Sequence, residues 1–253
     1  MARRTRSTTM RRMALGAAAV GAGVWVVEHR TRDATGTGWR RAFWSAFAGL
    51  PSGRVGRVGA AVIATRHGFF EAMARELALE PDDDLLDLGC GAGGLLTEQA
   101  AHVRFVAGID LSEIQLRKAR EALAARIAAG TAEIVEGDAT ALPWEDGRFS
   151  VVASLDCVKF LPEPEHAFRE MYRVLRPGGR AVVGLGTRVT GKASGTVDAW
   201  GQWQWDDDDA RRMMQAAGFV DVTATFLAAG PKEGLVRGVK ALAGYVRGDD
   251  LTA

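Results

Sequence analysis

The sequence predicts an α/β fold: a doubly wound, mostly parallel sheet with helices ahead of it. Three observations carry that prediction. The apolar run Leu85–Leu88 stops in the glycine-rich turn Gly89-Cys-Gly-Ala-Gly-Gly94, and an apolar pattern (Leu95, Leu96, Ala100, Val103) restarts beyond it. That is a strand, a tight turn and a helix start. From Pro81 onward, strand and helix signals alternate, as they do when crossover helices join parallel strands. Finally, Asp87, Asp110 and Asp138 stand near the ends of three successive strand signals, at the carboxyl edge where open parallel sheets bind ligands.

A chain of 253 residues accommodates one α/β domain of ordinary size with additional segments. Its 47% hydrophobic and 25% charged content is that of a globular protein. The net charge of +1 gives no electrostatic reason to expect a nucleic acid partner. Cys90 and Cys157 lie far apart without a C-x-x-C, so they read as reduced buried thiols rather than a disulfide framework or zinc site.

Residues 1–32 form a basic, apolar N-terminal segment. Arg3, Arg4, Arg6, Arg11 and Arg12 precede an apolar run from Met13 to Val27, the layout of a signal peptide or membrane anchor. The run is shorter than the roughly 20 residues that span a bilayer, and Arg30 and Arg32 make its far flank basic as well. An uncleaved segment associated with the inner face of the membrane through residues 11–30 is the favoured reading, in a protein otherwise cytoplasmic. A helix packed on its own domain or on a partner is the alternative. Residues 33–80 read as N-terminal helices, with Phe43, Phe47 and Leu50, then Phe69 or Phe70, Met73 and Leu77, at helical spacing.

Residues 81–227 read as the core. Strands are expected at Leu85–Leu88, Phe105–Ile109, Ala132–Val135, Phe149–Leu155 and Ala181–Leu185. After the second strand, Ser112 and Gln115 suggest an S-x-x-Q capping box. Leu116, Ala119, Leu123 and Ile127 line one helix face, and Gly130 stands at its C-terminal end. Phe168, Met171 or Tyr172 and Leu175 mark another helix, closed by Pro177-Gly178-Gly179. Asp206–Asp209 suit the first turn of a late helix running to Gly218, and Phe219–Phe226 alternates as a strand. Residues 228–253 form a C-terminal segment. Asp82–Asp84 read as solvated turn residues, since nothing pairs with them at metal-ligand spacing. Trp200, Trp203 and Trp205 form either an aromatic wall for a substrate or packing under a loop.

By themselves the glycines are ambiguous. Gly89, Gly91 and Gly94 satisfy G-x-G-x-x-G, the Rossmann dinucleotide fingerprint, while Asp87, Gly89, Gly91 and Gly93 satisfy D-x-G-x-G-x-G. Asp110, about 20 residues on, has the spacing at which a carboxylate accepts the hydroxyls of an adenosine ribose. Around these residues stand Gly108-Ile-Asp110-Leu-Ser112, Gly137-Asp138-Ala139 with Leu142-Pro143 and Phe149, Glu170-Met-Tyr-Arg173-Val-Leu-Arg-Pro177-Gly-Gly179, and Ala217-Gly-Phe219. Over roughly residues 80–227 this ordered set resembles the class I S-adenosylmethionine-dependent methyltransferases of the small-molecule type, whose fold is Rossmann-like.

The resemblance implies roles. Gly89, Gly91 and Gly93 would line the methionine part of S-adenosylmethionine, and Asp87 would help orient its ammonium. Asp110 would take the ribose hydroxyls and Leu111 would pack on the adenine. Asp138 would bond the adenine amino group, with the Ala139 backbone beside it. Ser154 and Leu155 would face the transferable methyl. The implied function is methyl transfer to O, N or C of a small-molecule or lipid-like acceptor. No catalytic residue is named by the sequence. His67, Asp156, Lys159 and His166 are candidate bases, each also read as a surface or structural group, and Cys157 is a weaker candidate nucleophile. A nicotinamide-dependent oxidoreductase is the alternative, although Tyr172 and Tyr245, the only tyrosines, make no Tyr-x-x-x-Lys pair. A non-catalytic cofactor-binding regulator or scaffold also stays open.

Overall fold

The computed structural model describes residues 67–161, 163–187, 196–197, 203–226 and 233–242. The N-terminal segment, most of the 33–80 region and Trp200 lie outside them. Strands β1 (Asp84–Leu88), β2 (Phe105–Asp110), β3 (Ala132–Glu136), β4 (Phe149–Leu155) and β5 (Leu175–Thr187) are mutually parallel. A short ribbon pairs β6 (Thr196–Val197) with β7 (Trp203–Gln204). Then come β8 (Val220–Phe226) and β9 (Glu233–Val239), with β9 antiparallel to both β5 and β8. The seven-stranded order is β3-β2-β1-β4-β5-β9-β8, the doubly wound, mostly parallel sheet that the alternating sequence signals predict. Its order reverses between β1 and β4, which opens a crevice at their carboxyl ends.

Helices α1 (His67–Leu77), α2 (Gly94–Glu98), α3 (Glu113–Ala122), α4 (Ala124–Ala128), α5 (Pro164–Val174) and α6 (Asp207–Ala217) cover the sheet, with a 3-10 turn at Val158–Phe160. Strands covered on both faces read as continuous apolar runs. On one face Leu86, Val152 and Val183 pack with Phe168, Met171 and Val174 of α5 and Met214 of α6. On the other, Leu85, Val151 and Val182 pack with Met73 and Leu77 of α1, Leu96 of α2 and Leu116 of α3. Each such buried side chain contributes about 1.5–3 kcal/mol. The acids at the start of α6 act as expected: Asp206 and Asp209 exchange backbone N–H bonds in a reciprocal capping box.

Several local expectations are corrected. The Ser112–Gln115 capping box does not form: Ser112 is the N-cap of α3 without a side-chain cap bond. Its N–H goes instead to Asp110 Oδ1 at 2.8 Å. The following helix is broken at Leu123, and Ile127 lies 37% exposed rather than in the core. Arg126 is the residue of α4 that reaches inward, donating to the carbonyls of Ala100 (2.8 Å) and Val103 (2.7 Å). Asp83 and Asp84 are buried, not solvated. Asp83 pairs with Arg180 at 2.6 Å, and Asp84 with Arg104 (2.8 Å) and Arg148 (2.7 Å). Burial alone would raise both carboxyls, but these bonds hold them below the usual carboxylate range.

The 228–253 segment, given no strand by its sequence, supplies β9 between β5 and β8. The sequence places strand five at Ala181–Leu185, whereas β5 begins at Leu175 and carries the Pro177-Gly-Gly turn within it as a register irregularity against β4. The turn is held by Lys240 just past β9, with Gly178 N–H to Lys240 O and Lys240 N–H to Gly179 O, both 2.8 Å. The Lys240 ammonium also donates to the Tyr172 and Leu175 carbonyls (2.9 and 2.8 Å) at the end of α5. A cation there satisfies carbonyls that the helix leaves open.

Candidate active site

The loop after β1 is built from residues that tolerate a left-handed backbone. Gly89, Gly91 and Gly93 have φ of 72°, 53° and 80°, a region that costs other L-residues. Gly89 has a second reason to be glycine, because a Cβ there would come within 2.6 Å of the Cys157 Cβ. At Gly91 a Cβ would meet nothing within 4 Å. The Gly89 and Cys90 N–H groups both donate to the Ile109 carbonyl (2.8 and 3.1 Å), which fixes the loop over the end of β2.

Asp110 joins three loops. Its Oδ2 accepts the Gly91 N–H at 2.9 Å and its Oδ1 the Ser112 N–H at 2.8 Å. Its carbonyl takes the Gly137 N–H at 3.0 Å. Burial pushes its carboxyl up, and the Ser112 and Gly91 N–H groups pull it partly back. Asp87 is 4% exposed. Burial, with a contribution from the Asp110 charge, pushes its carboxyl up to about 8. Burial also raises the Cys90 and Cys157 thiols, Cys90 further through Asp87 and Asp110, and Cys157 further through Asp110, Asp138 and Asp87. The crevice is thus a negatively biased, poorly solvated place in which a bound cation is stabilised.

The remaining sequence-predicted residues lie around it. Asp138 follows β3, and its Oδ1 accepts from the Thr140 N–H (2.9 Å) and hydroxyl (2.7 Å) in a side-chain turn. Leu111 is half-buried after Asp110, and Ala139 is buried against the Leu142–Trp144 cluster. Ser154 is fully enclosed, aligned with Leu88 on β1, and its hydroxyl donates to the Leu88 carbonyl at 3.3 Å.

Residues 86–183 match the protein-family model described as "Methyltransferase domain". The match takes in the glycine loop, Asp110, Asp138 and the Glu170–Gly179 helix and turn. Over that stretch, less than half of its length, the chain is similar to methyltransferase domains.

Curated proteins similar to this chain include cycloartenol-C-24-methyltransferase 1 of Oryza sativa subsp. japonica, 33% identical over 114 residues, 45% of this chain and 33% of that protein. The 27-O-demethylrifamycin SV methyltransferase of Amycolatopsis mediterranei is 35% identical over 130 residues, 51% of this chain and 48% of that one. This chain therefore spans half or less of the length of these curated relatives. Among solved structures, the geranyl diphosphate C-methyltransferase of Streptomyces coelicolor A3(2), in complex with Mg2+, geranyl-S-thiolodiphosphate and S-adenosyl-L-homocysteine, superposes with a TM-score of 0.59. That superposition covers 69% of this chain and 76% of that one at 17% identity, a likeness of fold.

Two features around the site have roles that the sequence does not reveal. Arg173 of α5 holds Glu170 (2.7 and 2.8 Å) and donates to the carbonyls of Trp144 (2.8 Å) and Leu142 (3.0 Å) and to Asp146 (2.8 Å). Glu170 accepts the Leu142 N–H at 2.7 Å. This pair pins the loop that follows Asp138 to the helix. Of the four candidate bases, the His166 side chain is 53% exposed beside Glu163 and the His67 side chain lies outside the described residues. Asp156 and Lys159, also read as surface or structural groups, form a 3.0 Å ion pair with each side chain only 15% exposed. Trp205 is half-buried and packs against the core cluster that α5 and α6 share, while the Trp203 side chain lies outside the described residues.

Proposed function

We propose that this protein transfers the methyl group of S-adenosylmethionine to a small-molecule or lipid-like acceptor. The observation that carries the reading is the enclosed Asp87 carboxyl beside Asp110. A cationic nucleoside relieves the cost of ionising these groups, whereas a dinucleotide pyrophosphate would add like charge to them. Gly91 leaves open space where a ligand can approach the backbone, and Gly89 and Gly93 shape the turn around it. Asp110 spends one acceptor site on each oxygen within the protein, and an ionised carboxylate keeps others for two ribose hydroxyls. Leu111 and Ala139 supply the apolar and backbone walls for an adenine, and Asp138 faces its amino group. Ser154 stiffens the β1–β4 seam next to the methyl. The bound cofactor supplies an electrophilic methyl on sulfur, and the chain's contribution is chiefly positioning and exclusion of water.

The relatives act on a sterol-type compound and a rifamycin, and the structural neighbour holds an isoprenoid diphosphate analogue. Together they support an acceptor with a large apolar body. Residues 11–30, basic at both flanks of an apolar run, support association with the inner membrane face, where such acceptors partition. Among the described residues no helix is long and apolar enough to cross a membrane.

Calorimetric titration with S-adenosylhomocysteine and, separately, NAD tests the cofactor. Binding of the sulfur nucleoside alone is expected, and uptake of NAD instead overturns the proposal. Fractionation of the full chain beside a form beginning at Asp33 tests the membrane reading, which equal solubility overturns.

A further inference from the structure

Three described non-glycine residues adopt a left-handed backbone: Ala78, Asp156 and Asp221. Ala78 follows the last turn of α1, where its N–H bonds back to Ala74 and Arg75, and left-handed residues are common there. Asp221 lies in the register shift of β8 on β9. Asp156, with φ of 62°, has neither explanation. It follows β4 directly, at the edge of the crevice, and its N–H still continues the sheet by donating to Gly184 O at 2.9 Å. Backbone of this kind persists where the surroundings over-determine it, and it concentrates at ligand sites.

Its position relative to the cofactor crevice is fixed by its neighbour. Cys157 packs against Gly89 so closely that no Cβ fits between them, so the Asp156–Cys157 peptide borders the glycine loop. On the β1–β3 side of the switch point stand Asp87, Asp110 and Asp138. On the β4 side stands Asp156, paired with Lys159, whose ammonium also lies 5.5 Å from the Phe160 ring centroid. The ribbon strand β7 rests on the same 3-10 turn. A carboxylate held by an ammonium in a largely enclosed place is preorganised and ready to accept a hydrogen bond.

We propose that Asp156 accepts the proton from a hydroxyl-bearing acceptor, with Lys159 holding its carboxylate in place, so that the methyl is delivered to oxygen. This rests on the methyltransferase reading above and narrows its acceptor class. In the step, the acceptor oxygen forms a bond to the methyl carbon as the carbon–sulfur bond breaks, its electron pair remaining on sulfur. The hydroxyl proton passes to Asp156 and leaves to water after product release. Asp156 is the catalytic residue in this scheme and Lys159 a positioning residue.

The test uses the full chain, Asp156→Asn, Asp156→Gly and Lys159→Gln. Each is first measured for S-adenosylhomocysteine affinity and melting temperature. It is then assayed for transfer of a deuterated methyl from S-adenosylmethionine to menadiol, a naphthohydroquinone, and to a sterol carrying a side-chain double bond, with the methylated atom read by mass spectrometry. The expected result is O-methylated menadiol from the wild type and a loss of about 10²–10⁴-fold in kcat for both Asp156 variants, the size of a general-base contribution. Nucleoside affinity stays within threefold, and the melting temperature of Asp156→Gly is equal or higher. Lys159→Gln should lower kcat less and change the pH profile of the reaction. The proposal is overturned by methylation at carbon, by an Asp156→Asn enzyme of wild-type rate, by nucleoside affinity that falls in step with activity, or by no transfer to menadiol from a wild type that binds the nucleoside. A wild type that does not bind S-adenosylhomocysteine refutes the underlying cofactor reading instead.

Discussion

Binding of a cationic ligand beside Asp87 should expel a proton. With its carboxyl raised to about 8, Asp87 holds a proton in roughly nine-tenths of unliganded molecules at pH 7. A sulfonium or ammonium next to it favours the ionised form, so close to one proton leaves per ligand bound. The same shift affects the fold. The native state binds this proton more tightly than the unfolded chain, so stability falls as pH rises from about 4 to 8. The rise from the ordinary 3.8 to about 8 corresponds to an effect on the order of 5 kcal/mol. Asp83, Asp84 and Glu170, whose carboxyls are held low, act in the opposite sense. Their contribution is complete above their unfolded values and is lost in acid, so the slope from pH 5 to 8 belongs to Asp87 together with Asp110, whose carboxyl burial also pushes up. The assays are urea denaturation at pH 5, 6.5 and 8, and calorimetric titration of S-adenosylmethionine at pH 7 in phosphate and in Tris. Binding heats that differ by about one buffer ionisation, and an Asp87→Asn variant with less proton release and a shallower stability slope, are expected. Identical heats in the two buffers, or an unchanged slope in the variant, would refute the reasoning.

Gly89→Ala should cost about 2–5 kcal/mol, combining left-handed strain with overpacking against Cys157, whereas Gly91→Ala should cost only the 1–2 kcal/mol of strain. Denaturant midpoints separate the two, and adding Cys157→Gly should recover part of the first loss but none of the second. Arg173→Lys keeps a charge but loses the fork that holds Glu170 and two carbonyls, so it should destabilise by about 1.5–3 kcal/mol by the same measurement, with Lys performing little better than Ala. Lys240→Met strips the Tyr172 and Leu175 carbonyls of their ammonium and should cost about 1–2 kcal/mol, seen as a lower melting temperature with the nucleoside site intact.

The features that were legible in the sequence were those encoded by neighbours along the chain. Leu85–Leu88 running into Gly89 announces a strand and turn because apolar side chains and absent Cβ atoms act locally. The Asp87, Asp110 and glycine cluster follows once those strands lie parallel. Asp83 and Asp84 look solvated because their partners are remote: Arg104 is 20 residues from Asp84, and Arg180 is 97 from Asp83. Strand β9 (Glu-Gly-Leu-Val-Arg-Gly-Val) has two glycines and two charges, so its strand character comes from the ladders on either side rather than from its own pattern. In the sequence Asp156 does not stand out from the three other candidate bases, because neither a left-handed φ nor an ion pair with Lys159 leaves any periodic trace.

The threading of the sheet has a consequence for how the molecule is made. Among the described residues β8 bonds only to β9, and β9 is the wedge that joins it to β5. During synthesis the half-sheet from β3 to β5 can assemble as it emerges, but β8 has no neighbour to dock on until residues 233–239 have been added. Until then the flank of β5 is an open ladder, a hazard for stray pairing between nascent chains. The last stitch of the sheet is also the one that protects it.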